Sequence, residues 1–394
     1  MPAPDQPPEL SPSPPDTSSA ADPGFSAAPA PASRADFLLF TCQGGAEEML
    51  CQRQRKILPQ LTKGVWRRGL VTFRLSPPGS TSPPFDPPED FFPDLVFARA
   101  VVRCFGQVAA AEMAQRFAEV VALAGHRYDR IHVWKRDERV EADCEAIRSG
   151  LLTLLAAGPS GCGPQATALA EPGDLVLDIV IDSPERWWVG WHRAGRLHTC
   201  WPGGAYPHAL PPDKVSRAWL KLDEALATHE LLLPPGGRAV ELGAAPGGAC
   251  QRLLEAQQLV TAIDPALVDP RVAALPGFLQ WRKRARDVRL KEFRGFDWIV
   301  ADMNIDPVST LEAIGRIVTA PGVHPQGIIA TLKLPQWSRA EALDTWLDQF
   351  RSWGFVPQAR QLSSGGREIC VVARRQRLRP SRSTGHPATH RRGR

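Results

Sequence analysis

Glu241-Leu242-Gly243-Ala244-Ala245-Pro246-Gly247-Gly248 is the stretch whose reading decides the fold. It follows the apolar pair Ala239-Val240 and opens a helix-like segment over residues 249–257. A strand that ends in a glycine-rich turn and feeds a helix turns free backbone N–H groups and a positive dipole end toward a ligand. The glycines let the main chain come close to that ligand, and Pro246 stiffens the turn. The spacing does not fit a dinucleotide fingerprint, because Ala245 stands where G-x-G-x-x-G needs its second glycine, so NAD is disfavoured. Leu259-Val260-Thr261-Ala262-Ile263 reads as a second buried strand. Asp264 at its end lies about 20 residues beyond the loop, where an acid in this kind of fold grips ribose hydroxyls.

The D/E-x-G-x-x-P-G-G loop with its downstream acid resembles motifs I and II of S-adenosylmethionine-dependent methyltransferases, in particular the FtsJ-like ribose 2′-O-methyltransferases. The resemblance implies S-adenosylmethionine as cofactor. Its contacts would come from Gly243, Ala244, Ala245, Pro246, Gly247, Gly248 and Asp264, from Asp302, and from Asp287 at the adenine amino group. Two departures stand in this region. Glu241 replaces the usual aspartate, and Ala249 replaces a frequent aromatic.

Methyl transfer to a ribose hydroxyl needs in-line positioning and a base, and a lysine serves as base if burial and a second cation lower its pKa. Two lysines and orienting acids are therefore expected, and the chain has them in order. Lys221 lies in the helical stretch Ser216-Arg217-Ala218-Trp219-Leu220-Lys221-Leu222-Asp223-Glu224-Ala225, where Ser216 is placed as N-cap. Asp302 follows the strand Asp297-Trp298-Ile299-Val300-Ala301, Lys333 follows Gly327-Ile328-Ile329-Ala330-Thr331-Leu332, and Glu368 precedes Ile369-Cys370-Val371-Val372-Ala373. In a doubly wound sheet the carboxyl ends of strands gather at one crevice, so Asp302 and Lys333 should both face it. The Lys-Asp-Lys-Glu order is similar to the FtsJ-like tetrad. The words Ala301-Asp302-Met303, Leu332-Lys333-Leu334-Pro335 and Ala359-Arg360-Gln361-Leu362 resemble the ribosomal RNA large subunit methyltransferase M family. By that resemblance Lys333 is the general base, Lys221 and Asp302 tune and orient it, Glu368 helps to place Lys221 or the ribose, and Ser216 touches the methyl donor. The implied substrate is a cytidine of 23S ribosomal RNA. A competing class is a non-catalytic RNA-binding or assembly factor on the same fold, and a 2′-O-methyltransferase of another RNA is a further alternative.

At 394 residues the chain is long enough for two or three units. Its 39 prolines are unevenly placed. Residues 1–34, almost all Pro, Ala, Ser and Asp, read as a disordered leader. Residues 35–105 read as a ferredoxin-like α/β unit, and residues 106–196 as a THUMP-like RNA-binding domain, both by resemblance of element order. Residues 197–374 form the Rossmann-like FtsJ-type domain, and 375–394 a basic tail. The overall class is α/β, with an α+β N-terminal region. Eight arginines in the acid-free C-terminal segment account for more than the formal charge of +5, so the body is not basic. The hairpin candidate at 175–191 carries Trp187, Trp188 and Trp191 beside Arg186, Arg193 and Arg196, which suits either RNA stacking or core packing. Arg282, Lys283, Arg284, Arg286 and Arg289 form a basic run suited to a solvated face or an RNA rim. The eight cysteines form no C-x-x-C pair, which argues against a structural zinc or a disulfide framework and suits a reducing cytoplasm. RNA is the expected partner, no metal and no membrane are expected, and a monomer is expected.

Overall fold

Two seven-stranded sheets carry the chain. The computed structural model describes residues 36–76, 79, 83–125, 127–156, 164–165 and 167–375. The expected leader, nearly all of the tail and part of the 158–172 loop lie outside the described residues.

The first sheet contains β1 (Phe37–Thr41), β2 (Thr62–Arg67), β3 (Leu70–Arg74), β4 (Ala100–Val108), β5 (Arg130–Lys135), β6 (Leu175–Ser183) and β7 (Arg186–Arg193), in the order β2-β3-β1-β4-β7-β6-β5. Helices α1 (Glu47–Ile57), α2 (Met113–Ala124) and α3 (Cys144–Ala156) accompany it. Strand β4 pairs with β1 on one side and β7 on the other, so a single sheet runs through residues 37–193. Strand β6, Leu-Val-Leu-Asp-Ile-Val-Ile-Asp, is buried on both faces, and its near-continuous apolar run follows from that. The β6–β7 hairpin forms as its alternation predicts. Its tryptophans are not a stacking platform, however. Trp187, Trp188 and Trp191 are all buried, the first and third against α2 and α3 and the second on the opposite face. Strand β4 begins three residues later than the apolar run from Phe97 suggests. Phe97 is a buried loop residue whose ring packs edge-on to Trp337.

The second sheet contains β8 (Arg238–Leu242), β9 (Leu259–Ile263), β10 (Phe278–Trp281), β11 (Trp298–Ala301), β12 (Gly327–Lys333), β13 (Phe355–Arg360) and β14 (Glu368–Arg375). Its order is β10-β9-β8-β11-β12-β14-β13, parallel from β10 to β12 and antiparallel at β14. Helices α4 (Arg217–Thr228), α5 (Gly248–Glu255), α6 (Pro270–Ala273), α7 (Pro307–Val318) and α8 (Leu343–Ser352) belong to this half. The chain leaves β8 toward β9 on one side and leaves β11 toward β12 on the other. The strand order therefore reverses between β8 and β11, the point where such sheets open a crevice. A common apolar core joins the two halves, because Leu38, Phe40 and Phe97 cluster with Ile299, Leu343 and Phe355. Arg53 also pairs with Asp344 at 2.5 Å, and Gln361 donates to Gln43 at 2.7 Å.

Candidate active site

The turn after β8 is shaped by contacts on both of its sides. Gly243 has φ +78°, and an added Cβ there would stand 2.7 Å from Met303. Gly247, at φ +110°, caps α5 from the left-handed region. Asp264 closes the turn against β9, accepting from the Ala245 N–H at 3.2 Å and the Ala266 N–H at 2.8 Å. Gly248 makes room for α4, since a Cβ would lie 2.2 Å from Ser216 Oγ. Ser216 holds the N-cap position of α4, but its side chain does not cap the helix. Among the described residues its buried Oγ has no hydrogen-bond partner, because the first residues of α5 crowd the place where a capping bond would form.

The two lysines and two carboxylates converge. Lys221 Nζ lies 2.5 Å from Asp302 Oδ2 and 3.4 Å from Glu368 Oε1. Lys333 Nζ lies 2.7 Å from Asp302 Oδ1 and 2.6 Å from Glu368 Oε2. Each ammonium thus touches both carboxylates, in an alternating ring of four charges that is largely buried. Register explains half of it. Lys333 ends β12 and Glu368 begins β14, and the two are directly opposed across that antiparallel pair. Strand β11 delivers Asp302 beside Lys333, and the second turn of α4 supplies Lys221. Glu224, one turn along α4 and buried, accepts from the N–H groups of Ser363 and Ser364 at 2.6 and 2.7 Å, which fixes the loop leading into β14.

The electrostatics correct one expectation. Burial works to depress Lys333, but Asp302 and Glu368 outweigh it and hold the ammonium above the ordinary lysine value. A lowered pKa is therefore not the resting condition of Lys333. Burial likewise works to raise Asp302, and the two lysines override it and hold the carboxyl below its usual range. Beneath the turn, burial pushes Glu241 up to about 8 even though Cys250 bonds to it.

A cavity of about 720 Å³ opens at the switch point. Gly243, Ala245, Asp264 and Asp302 line it, together with Lys283, Arg284 and Arg286 of the basic run. Ala244, Pro246, Gly247, Gly248 and Ser216 do not line it but shape the turn behind its wall. Asp287 is exposed, paired loosely with Arg286 at 3.9 Å, and is not part of the lining. Sequence reasoning missed the far wall, where Ser309, Glu312, Ala313 and Arg316 face the cavity from α7. Their i, i+3, i+4, i+7 spacing was the available signal. Among the described residues no helix is long and apolar enough to cross a membrane.

A parallel sheet with this strand order, a glycine turn after its first strand and a crevice at the switch point make this half of the chain a Rossmann-like methyltransferase fold. The FtsJ-like methyltransferase family model matches residues 214–340. The ribosomal RNA large subunit methyltransferase M of Halorhodospira halophila is 36% identical over 186 residues, taking in 45% of this chain and 52% of that protein. That of Xanthomonas euvesicatoria pv. vesicatoria is 34% identical over 313 residues, 72% of this chain and 83% of its own length. The chain belongs to the ribosomal RNA large subunit methyltransferase M family, although its match spans only about half the length of several of these relatives. Among solved structures, TrmN from Thermus thermophilus aligns over 86% of this chain and 99% of its own at 16% identity, with a TM-score of 0.33.

Proposed function

We propose that this protein methylates the 2′-hydroxyl of an RNA ribose from S-adenosylmethionine, and that the RNA is 23S ribosomal RNA with a cytidine as target. The observation that carries the reading is the closed Lys221-Asp302-Lys333-Glu368 ring, with Asp302 also in the wall of the crevice. The residues fit the donor. Asp264 follows β9 beside the turn, and the cavity reaches Gly243, Ala245 and Asp264. When bound, S-adenosylmethionine supplies a methyl carbon made electrophilic by a sulfonium.

The protein's part is to present the hydroxyl oxygen in line and to take its proton. Lys333 Nζ is the acceptor, and the ammonium that results is the state its two carboxylate partners favour. Lys221 and Asp302 hold Lys333 in position, and Glu368 fixes both lysines. The charged form of Lys333 would be less favoured with a cationic donor nearby, since like charges oppose each other. The N-terminal sheet, ferredoxin-like over 35–105 and THUMP-like over 106–196 in this reading, delivers the RNA, and Arg284, Arg286 and Arg316 at the cavity contact its phosphates. Asp287, outside the lining as the loop stands, meets the adenine by an inward movement of that loop.

Lys333→Ala tests the reading. Methyl transfer from radiolabelled donor should fall by ~10²–10⁴-fold or more. Donor and RNA affinities should stay within a few-fold. A variant that keeps wild-type turnover removes Lys333 from the mechanism.

A further inference from the structure

We propose that His132, Asp178 and His192 form a divalent transition-metal site in the N-terminal sheet, remote in sequence from the methyltransferase half. The three come from adjacent strands on one face. His132 of β5 is directly opposed to Asp178 of β6, and His192 of β7 lies two residues along the other side of β6. One ligand atom from each lies within 4.8 Å of the other two. The two imidazoles address the two oxygens of one carboxylate. His192 Nδ1 is 2.5 Å from Asp178 Oδ2, and His132 Nδ1 is 3.8 Å from Asp178 Oδ1.

Two features separate this cluster from an ordinary buried ion pair. His132 and Asp178 are wholly buried, and although the Ala168 backbone lies against the His132 ring, Nδ1 of His132 and Oδ1 of Asp178 have no hydrogen-bond partner among the described residues. Leaving such atoms unpaired in the interior forfeits their hydration with nothing in return. A cation between them takes one lone pair from His132 and one from Asp178 at once. The second feature is the outer shell. His192 turns its Nε2 to the Thr199 carbonyl at 2.9 Å, the arrangement by which metal-binding histidines fix their tautomer and aim the other nitrogen at the ion. A small void of about 10 Å³ touches Asp178 and His192, enough for one water as a fourth ligand. Two imidazoles, a carboxylate and a water match four-coordinate zinc, whose bonds of about 2.0–2.2 Å require His192 and Asp178 to part and His132 to draw in. On binding, the proton between His192 and Asp178 leaves to solvent. The void admits no substrate, so the site is structural. Through Thr199 it ties the sheet to the connection leading into α4.

The test uses the full-length protein purified without chelator. Elemental analysis should find about one zinc or similar ion per chain. After removal of that metal, cobalt(II) titration should give the intense visible absorption of a four-coordinate ion, with two exchangeable, paramagnetically shifted imidazole N–H signals. His132→Gln and Asp178→Asn should each weaken zinc binding by about 100-fold or more. His208→Ala, at an exposed histidine, should leave it unchanged. Absence of metal in the purified protein together with no cobalt spectrum would show that the cluster is only a buried imidazolium-carboxylate pair and overturn the proposal. The cobalt measurement needs no variant, so it decides the matter even if a substitution prevents folding.

Discussion

Lys333 sits between two opposing influences. Burial favours the neutral amine a base requires, while Asp302 and Glu368 favour the ammonium, and the carboxylates prevail. With Lys333 as the proposed base, its neutral form is scarce at neutral pH, and turnover should climb as pH rises into the alkaline range. Removing one carboxylate reverses part of this. In Glu368→Gln the lysine loses a negative partner at 2.6 Å, its pKa falls, and the rising limb of the kcat–pH profile should move to lower pH. A profile that keeps its limb, or moves it upward, would assign that ionisation to another group. The tetrad residues themselves were legible in the sequence from their order at strand ends. Their mutual contacts were not, because the Lys333–Glu368 register depends on β14 inserting between β12 and β13.

The elements that were easiest to foresee are those whose environment is uniform. Strand β9 is an almost wholly buried run and appears over the five residues its pattern suggests. Strand β2 went unread because Thr-Lys-Gly-Val-Trp-Arg is an edge strand with no buried face, so it leaves no alternation to detect. The glycine turn was read as an approach to a ligand, whereas Gly248 also answers to packing of one element on another. α4 and α5 meet there, and a Cβ would press on Ser216 Oγ and on the Trp219 backbone nitrogen, 2.2 and 2.9 Å away. Gly248→Ala should therefore cost about 1–3 kcal/mol in denaturant unfolding and weaken donor binding, through displacement of α4 with Lys221 on it. Unchanged stability would mean that the α4–α5 contact yields without cost.

At the scale of the molecule the two sheets share side chains. Phe97, from the loop entering β4, lies 1% exposed against Trp337 of the methyltransferase half. Phe97→Ala should destabilise by about 3–5 kcal/mol, and the wild type should melt in one calorimetric transition in which both halves take part. Two well-separated transitions, with only one moved by the substitution, would show the halves to be thermally independent. Such joining was invisible in the sequence, where the proline-rich connections suggested separate units. The central claim concerns where the methyl group goes. The most direct measurement incubates the protein with S-adenosylmethionine and ribosomal RNA from cells lacking this activity, digests the RNA to nucleosides and identifies the product by mass spectrometry. The account predicts 2′-O-methylcytidine, with the added mass on the ribose fragment. A product methylated on the base, or RNA bound without any transfer, would contradict it.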